Sequence, residues 1–232
     1  MESVIGILSE QYMNEHKDVT ITYDATGSGT GIEAVANGTC DIGLASRNLK
    51  DEEVNRGLKQ TTVALDGIAI IVNANCPLDD ISVEDIAAIY TGEITSWDGF
   101  GGSGKIACIG REAGSGTRDG FESITKTKDS CVLEQELTST GAVIAAVQSN
   151  EYAIGYASFA SVENQTGIKV LTVGGVKCTS ENIANGSYVI QRPFNLITKS
   201  NAALSSEAQK FFDFMMSKDA SQYIVKAGAV PV

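Results

Sequence analysis

The sequence has 232 residues, 43% of them hydrophobic, with 24 glycines and 3 prolines, enough for one large domain or two small lobes with buried cores. Its 17 Lys and Arg stand against 29 Asp and Glu, and a net charge of -12 argues against nucleic acid, whose binding rests on basic patches. A single small anion stays open, because a dry site with aimed donors can outweigh a distant field.

No run of about 18 apolar residues occurs, so no membrane-spanning helix is expected. Val4, Ile5, Leu8 and Tyr12 recur at helical spacing, so the chain should open in a helix. No basic segment or apolar signal core precedes it, which fits a cytosolic protein or one whose targeting segment has been removed. His16, the only histidine, is expected at the solvated end of that helix, and a Ser-His-Asp or Cys-His catalytic arrangement would have to use it.

Val19 to Tyr23 alternates as a strand, and the Gly-rich turn Thr26 to Gly31 follows. A short helix carries Ile32 and Val35, Asp41 to Ala45 reads as a strand, and Asp51 to Leu58 as a helix. Thr61 to Asn73 is a long apolar run, the pattern of a strand buried on both faces. Ser82 should cap a helix through Tyr90, with Asp85 completing a capping-box pattern.

Lys105 to Gly110 reads as a strand, followed by the turn Glu112 to Gly116 and a helix to about Ile124. Gly141 to Gln148 is a predicted helix; Tyr152 to Ser158, Ile168 to Val173 and the long run Tyr188 to Lys199 are predicted strands. The chain should end in one long helix whose apolar stripe includes Phe211, Phe214 and Met215.

Strands alternating with helices predict an α/β fold with a mostly parallel sheet in each lobe. The two long strands are placed as crossings between lobes, giving lobe I from 1–68 and 191–232 and lobe II from 69–190. Such a plan suits a hinged, cleft-forming protein. The cysteines (Cys40, Cys76, Cys108, Cys131, Cys178) have no CxxC pair and an odd count, so they are read as small buried hydrophobes, without zinc or a complete disulfide framework.

The chemistry concentrates in a repeated tetrapeptide, Gly27-Ser28-Gly29-Thr30 and Gly114-Ser115-Gly116-Thr117. Each copy follows a predicted strand and opens a helix, where unpaired N–H groups at a positive helix end favour an anion. Arg111 stands just before the second copy, at a strand's C-terminal end, with a planar fork suited to two oxyanion oxygens; Arg118 lies on the following helix. Gly99 to Lys105 fits the start of a P-loop, but Ile106 replaces the magnesium-binding hydroxyl and a strand follows instead of preceding it. Gly114, Gly116 and Gly120 have a loose dinucleotide-type spacing without a ribose-binding acid about twenty residues on.

These motifs carry a resemblance. Thr26 to Gly31, Asp41 to Arg47, Tyr90 to Trp97, Arg111 to Thr117 and Ala153 to Tyr156, in this order, resemble the phosphate-binding component of bacterial phosphate ABC transporters. The resemblance covers essentially the whole chain and implies a two-lobed fold of the periplasmic-binding-protein type, class II. It implies phosphate contacts from Ser28, Arg111, Ser115, Gly116 and Thr117, to which the first turn adds Gly29 and Thr30 and the second strand's end adds Ser46 and Arg47. It further implies a membrane permease as partner and an extracytoplasmic place, in the periplasm or on the cell surface as a lipoprotein. No catalytic residue, metal or cofactor is expected, and the chain is read as a non-enzyme. A phosphate-sensing module and, behind it, a phosphate-handling enzyme are the alternatives.

Two departures from that family shape further expectations. Relatives begin with a strand and a donor turn before the helix that opens this chain, so lobe I is expected to show an unpaired strand edge unless other residues fill the place. Some relatives carry an Asp, accepting phosphate's proton, where Arg47 stands. Asp66 in Leu65-Asp66-Gly67 is the first choice to replace it, before Asp41 and Glu112; a turn or hinge residue bonded to backbone is the alternative for Asp66.

Overall fold

In the computed structural model, which describes residues 1–232, helix α1 (Glu2–Glu15) forms where Val4, Ile5, Leu8 and Tyr12 share a face, and all four are buried. The chain forms two compact units, Met1–Asp66 with Arg192–Val232, and Gly67–Gln191. It passes from one unit to the other at 66/67 and back at 191/192.

In the first unit, the predicted strand over Val19 to Tyr23 is extended but joins no ladder. Val19, Ile21 and Tyr23 pack partly buried against the core while Thr20 and Thr22 face solvent, so the alternation is real and a neighbouring strand is lacking. Its polar groups turn to local partners instead: Val19 N–H bonds to the carbonyl of His16, and Ile21 N–H to the sulfur of Met13.

Helix α2 (Ser28–Asn37) then packs on β1 (Gly43–Ala45), with Ile32, Val35 and Ala45 in one buried cluster. The approach is close enough to require glycine: a Cβ on Gly43 would meet the Gly31 carbonyl oxygen at 2.6 Å and a Val35 methyl at 2.7 Å. Helix α3 (Asp51–Asn55) is shorter than predicted, because Leu58 already begins β2 (Leu58–Asn73), which runs on into the second unit.

The second unit begins with the remainder of β2 and the short β3 (Asp80–Ile81). Ser82 caps α4 (Val83–Tyr90) as its sequence pattern predicts, accepting from the Asp85 N–H at 2.9 Å. After a 3-10 turn at Trp97–Phe100 come β4 (Ala107–Arg111), α5 (Gly116–Thr125), β5 (Gln135–Leu137), α6 (Thr140–Ser149) and β6 (Ala153–Ser158). Helix α7 (Phe159–Val162), β7 (Ile168–Val170), β8 (Thr172–Val173) and α8 (Ser180–Ala184) complete it.

The sheets are mixed where mostly parallel ones are predicted. β4 is parallel to both β5 and β6, and β3 to β8, but β6 and β7 run antiparallel to β2. The helices α5 and α6 carry the chain back between β4, β5 and β6, which enforces parallel neighbours; β2 lies outside that succession.

The Tyr90 to Trp97 run enters the core of this unit at its two ends, with Tyr90 and Trp97 buried. The Tyr90 hydroxyl donates to the Ile109 carbonyl at 3.1 Å, and the Trp97 indole N–H to the Tyr152 carbonyl at 3.0 Å.

Back in the first unit, β9 (Gln191–Lys199) starts later than its apolar run suggests; before it, the Tyr188 hydroxyl donates to the Ile68 carbonyl at 2.9 Å, within the second unit. β9 pairs antiparallel with β1 and lies between β1 and β2. The predicted long terminal helix is two: α9 (Ser206–Met215) and α10 (Lys218–Lys226), followed by β10 (Val230–Pro231) beside β2. Ser217 breaks it, its hydroxyl donating back to the Phe214 carbonyl at 2.7 Å and accepting the Ala220 N–H at 3.2 Å. Phe211, Met215 and Ile224 still join α1 in one core.

His16 is exposed and lies against the Tyr12 ring, and no helix is long and apolar enough to cross a membrane. No cysteine is in a disulfide; Cys76, Cys108 and Cys178 are buried, Cys131 is half-buried and Cys40 is exposed. Cys40 therefore departs from the small-buried-hydrophobe reading; it sits in the bend between α2 and β1, where no core residue covers it.

Candidate functional site

In the first unit the Thr26 to Gly31 turn opens α2. Gly27, at φ 95°, takes the left-handed side of backbone space, and no side chain caps the helix. The first N–H groups, from Ser28, Gly29 and Thr30, therefore have no acceptor within the helix.

The buried Ser28 hydroxyl accepts the Ser46 N–H at 2.9 Å, across the glycine contact between α2 and β1. With that lone pair occupied, its O–H remains a donor. Arg47 follows at the end of β1, and its guanidinium bonds both Glu53 oxygens at 2.8 Å. This hydrogen bonding holds the Glu53 carboxyl below the ordinary glutamate range against the opposing effect of burial. Asn195 fixes the same turn, its amide donating to the Arg47 carbonyl at 2.9 Å.

Asp66 is completely buried in β2. Its Oδ2 accepts from Arg192 of β9, at 3.1 Å from Nε and 2.9 Å from Nη2. Asp41 is exposed just before β1.

In the second unit the other Gly-Ser-Gly-Thr opens α5, and Ser115, Gly116 and Thr117 are buried there. The Ser115 hydroxyl accepts the Arg118 N–H at 3.4 Å as N-cap, leaving Gly116 and Thr117 N–H groups without intrahelical acceptors. Arg111, at the end of β4, spends most of its fork on the protein. Nε and Nη2 bond Glu112 at 3.0 and 2.8 Å, and Nη1 bonds the Thr140 hydroxyl at 3.1 Å. Burial pushes the Glu112 carboxyl up, but hydrogen bonding to Arg111 and the charges of Arg111 and Arg118 outweigh it and leave the group below its ordinary range.

Arg118 bonds Glu122 at 2.6 Å, Glu136 at 2.7 Å and the Arg111 carbonyl at 2.9 Å.

Each guanidinium near the two turns is thus matched by a carboxylate. What the turns offer is uncharged N–H and O–H donors at helix N-termini, an arrangement for holding an oxyanion. Both serine hydroxyls accept backbone N–H groups instead of meeting an imidazole or carboxylate base, so neither is set up as a nucleophile.

The structure gathers Ser28, Gly29, Thr30, Ser46 and Arg47 around one turn, and Arg111, Ser115, Gly116 and Thr117 around the other; Asp66 stands with Arg192. Sequence reasoning missed Glu53, Asn195, Arg192 and Tyr156 as partners of these residues. One signal was available: Arg192 and Asp66 are lone opposite charges in two apolar strand runs, and such charges pair when buried.

Known proteins carry the same arrangement of elements. The PBP superfamily domain model matches residues 1–219. The phosphate-binding protein PstS of Bacillus subtilis is 31% identical over 100% of this chain and 78% of its own length. PstS of Borreliella burgdorferi is 30% identical over 97% of this chain and 86% of its own. A Clostridium perfringens protein, described as a phosphate ABC transporter substrate-binding protein and solved with phosphate bound, superimposes with a TM-score of 0.93 at 37% identity, over 99% of this chain and 94% of that one. With a matching family model across most of its length and PstS relatives across nearly all of it, the chain belongs to the PBP superfamily and, within it, to the PstS family of phosphate-binding proteins.

Proposed function

We propose that this protein binds inorganic phosphate without altering it, outside the cytoplasm, and delivers it to the membrane permease of an ABC transporter. The observation that carries the reading is the repeated Gly-Ser-Gly-Thr turn, once at the start of α2 and once at the start of α5. The donors are the N–H groups of Ser28, Gly29, Thr30, Gly116 and Thr117 and the hydroxyls of Ser28, Thr30 and Thr117. Arg111 contributes Nη1, and Ser46 and Arg47 shape the first turn. Asp66 has a structural task in this reading, holding Arg192, and does not accept the phosphate proton.

Calorimetric titration of the purified protein with phosphate, sulfate, arsenate and molybdate tests the ligand. Saturable uptake of phosphate and arsenate at one site, well ahead of sulfate, is expected. Absence of phosphate binding, or a preference for sulfate or molybdate, overturns the proposal. Co-purification with a permease from membranes tests delivery separately.

A further inference from the structure

Arg111 is held at its main chain as well as at its side chain. The ladder between β4 and β6 has its register at Ala107 with Ala153 and Cys108 with Ile154, short of Arg111. Beyond it, the Arg111 N–H finds the Tyr156 hydroxyl at 3.0 Å, and the Arg111 carbonyl takes Arg118 Nη1 at 2.9 Å.

Space for the phenol comes from Gly110. A Cβ there would stand 3.1 Å from the Tyr156 hydroxyl and 2.7 Å from both Leu133 methyls. The Tyr156 ring, 1% exposed, stacks on Phe121 of α5 at 4.2 Å and 12°. One residue of β6 therefore touches both the strand end that carries Arg111 and the helix whose N-terminus carries Ser115, Gly116 and Thr117.

We infer that Tyr156 is a positioning residue for phosphate binding: through its hydroxyl and its stacked ring it fixes the Arg111 main chain against helix α5. This rests on the proposed phosphate site. Burial pushes the phenol well above its ordinary range, so it stays neutral and keeps accepting the Arg111 N–H at any working pH. With the main chain fixed at two atoms and the guanidinium bonded to Glu112 and Thr140, the side chain is held at both ends, the kind of pre-organisation that supports tight binding.

The test is a double-mutant cycle read by phosphate calorimetry. Tyr156→Phe keeps the ring stack and removes only the acceptor, and should weaken phosphate binding about tenfold. In an Arg111→Ala background, which keeps the main-chain contact but lacks the guanidinium, the same change should cost almost nothing, since the held main chain serves phosphate through that guanidinium. A merely structural role gives equal losses in both backgrounds and overturns the inference, as does unchanged affinity in the single variant.

Amide exchange of the unmodified protein keeps the idea exposed should the variant misfold: slow exchange at Arg111 N–H supports the contact, and fast exchange removes it. Wild-type protein that takes no phosphate defeats the functional reading itself. Wild-type binding with an indifferent Tyr156→Phe defeats only this inference.

Discussion

Asp66 and Arg192 form a charge pair almost wholly withdrawn from water, with side chains 0% and 3% exposed and two hydrogen bonds onto one carboxylate oxygen. Removing the Asp66 charge takes from Arg192 the buried carboxylate that its Nε and Nη2 meet. Asp66→Asn should therefore lower unfolding stability by about 3–5 kcal/mol, read from urea denaturation. Because the carboxylate serves Arg192, the preference for phosphate over sulfate should survive in the folded fraction. A loss of that preference would return Asp66 to the role of proton acceptor.

The Ser28 hydroxyl, already accepting from Ser46 N–H, has its hydrogen left to donate. Ser28→Ala should weaken phosphate binding by about 1.5–3 kcal/mol, a loss of at least tenfold by calorimetry. The cost to stability should be smaller, because the Ser46 N–H loses one acceptor at the edge of the turn. Equal affinity in the variant would take Ser28 out of the site.

The pair Arg47 and Glu53 sets a pH dependence. Its folded-state carboxyl lies below the ordinary value of 4.5, so the stabilisation is present above that value and is lost as pH falls through the depressed one. Glu53→Gln should be less stable than wild type near neutrality by about 2 kcal/mol. The gap should close as the medium is acidified below the ordinary glutamate range. Thermal unfolding across an acid series checks this, and a gap that persists unchanged in acid contradicts it.

The contact between α2 and β1 leaves no room for a methyl group on Gly43, since the Gly31 carbonyl is backbone and cannot swing aside. Gly43→Ala should cost about 1–3 kcal/mol and, by pushing α2 away, separate Ser28 from Ser46. Both a lowered melting temperature and weakened phosphate binding are expected. Gly29→Ala, where a Cβ meets nothing within 4 Å, is the control for stability.

Much of the fold was legible because the apolar periods are regular. The stripe of α1, the long run of β2 and the Ser82 cap follow local rules that tertiary contacts reinforce. What was not legible depends on neighbours. Val19 to Tyr23 alternates as a strand does, yet a strand also needs a ladder partner, and periodicity does not record one. The terminal helix reads as continuous until Ser217 offers its hydroxyl to the preceding turn. β9 begins only at Gln191, although its apolar run starts earlier, because the residues before it bond singly to β2. In the candidate site, the two donor turns could be read from their glycines and hydroxyls. The partners of their arginines could not: Glu53 lies six positions from Arg47 and Tyr156 forty-five from Arg111, distances that only folding closes.

The matching of each guanidinium with a carboxylate has a kinetic side. A protein of net charge -12 repels an approaching anion, and arginines already neutralised locally project little field to counter it. Capture is then unsteered: added salt, by screening the repulsion, should speed the arrival of phosphate while leaving its departure nearly unchanged. Such a carrier loads faster in brine than in dilute water, the reverse of an electrostatically steered trap.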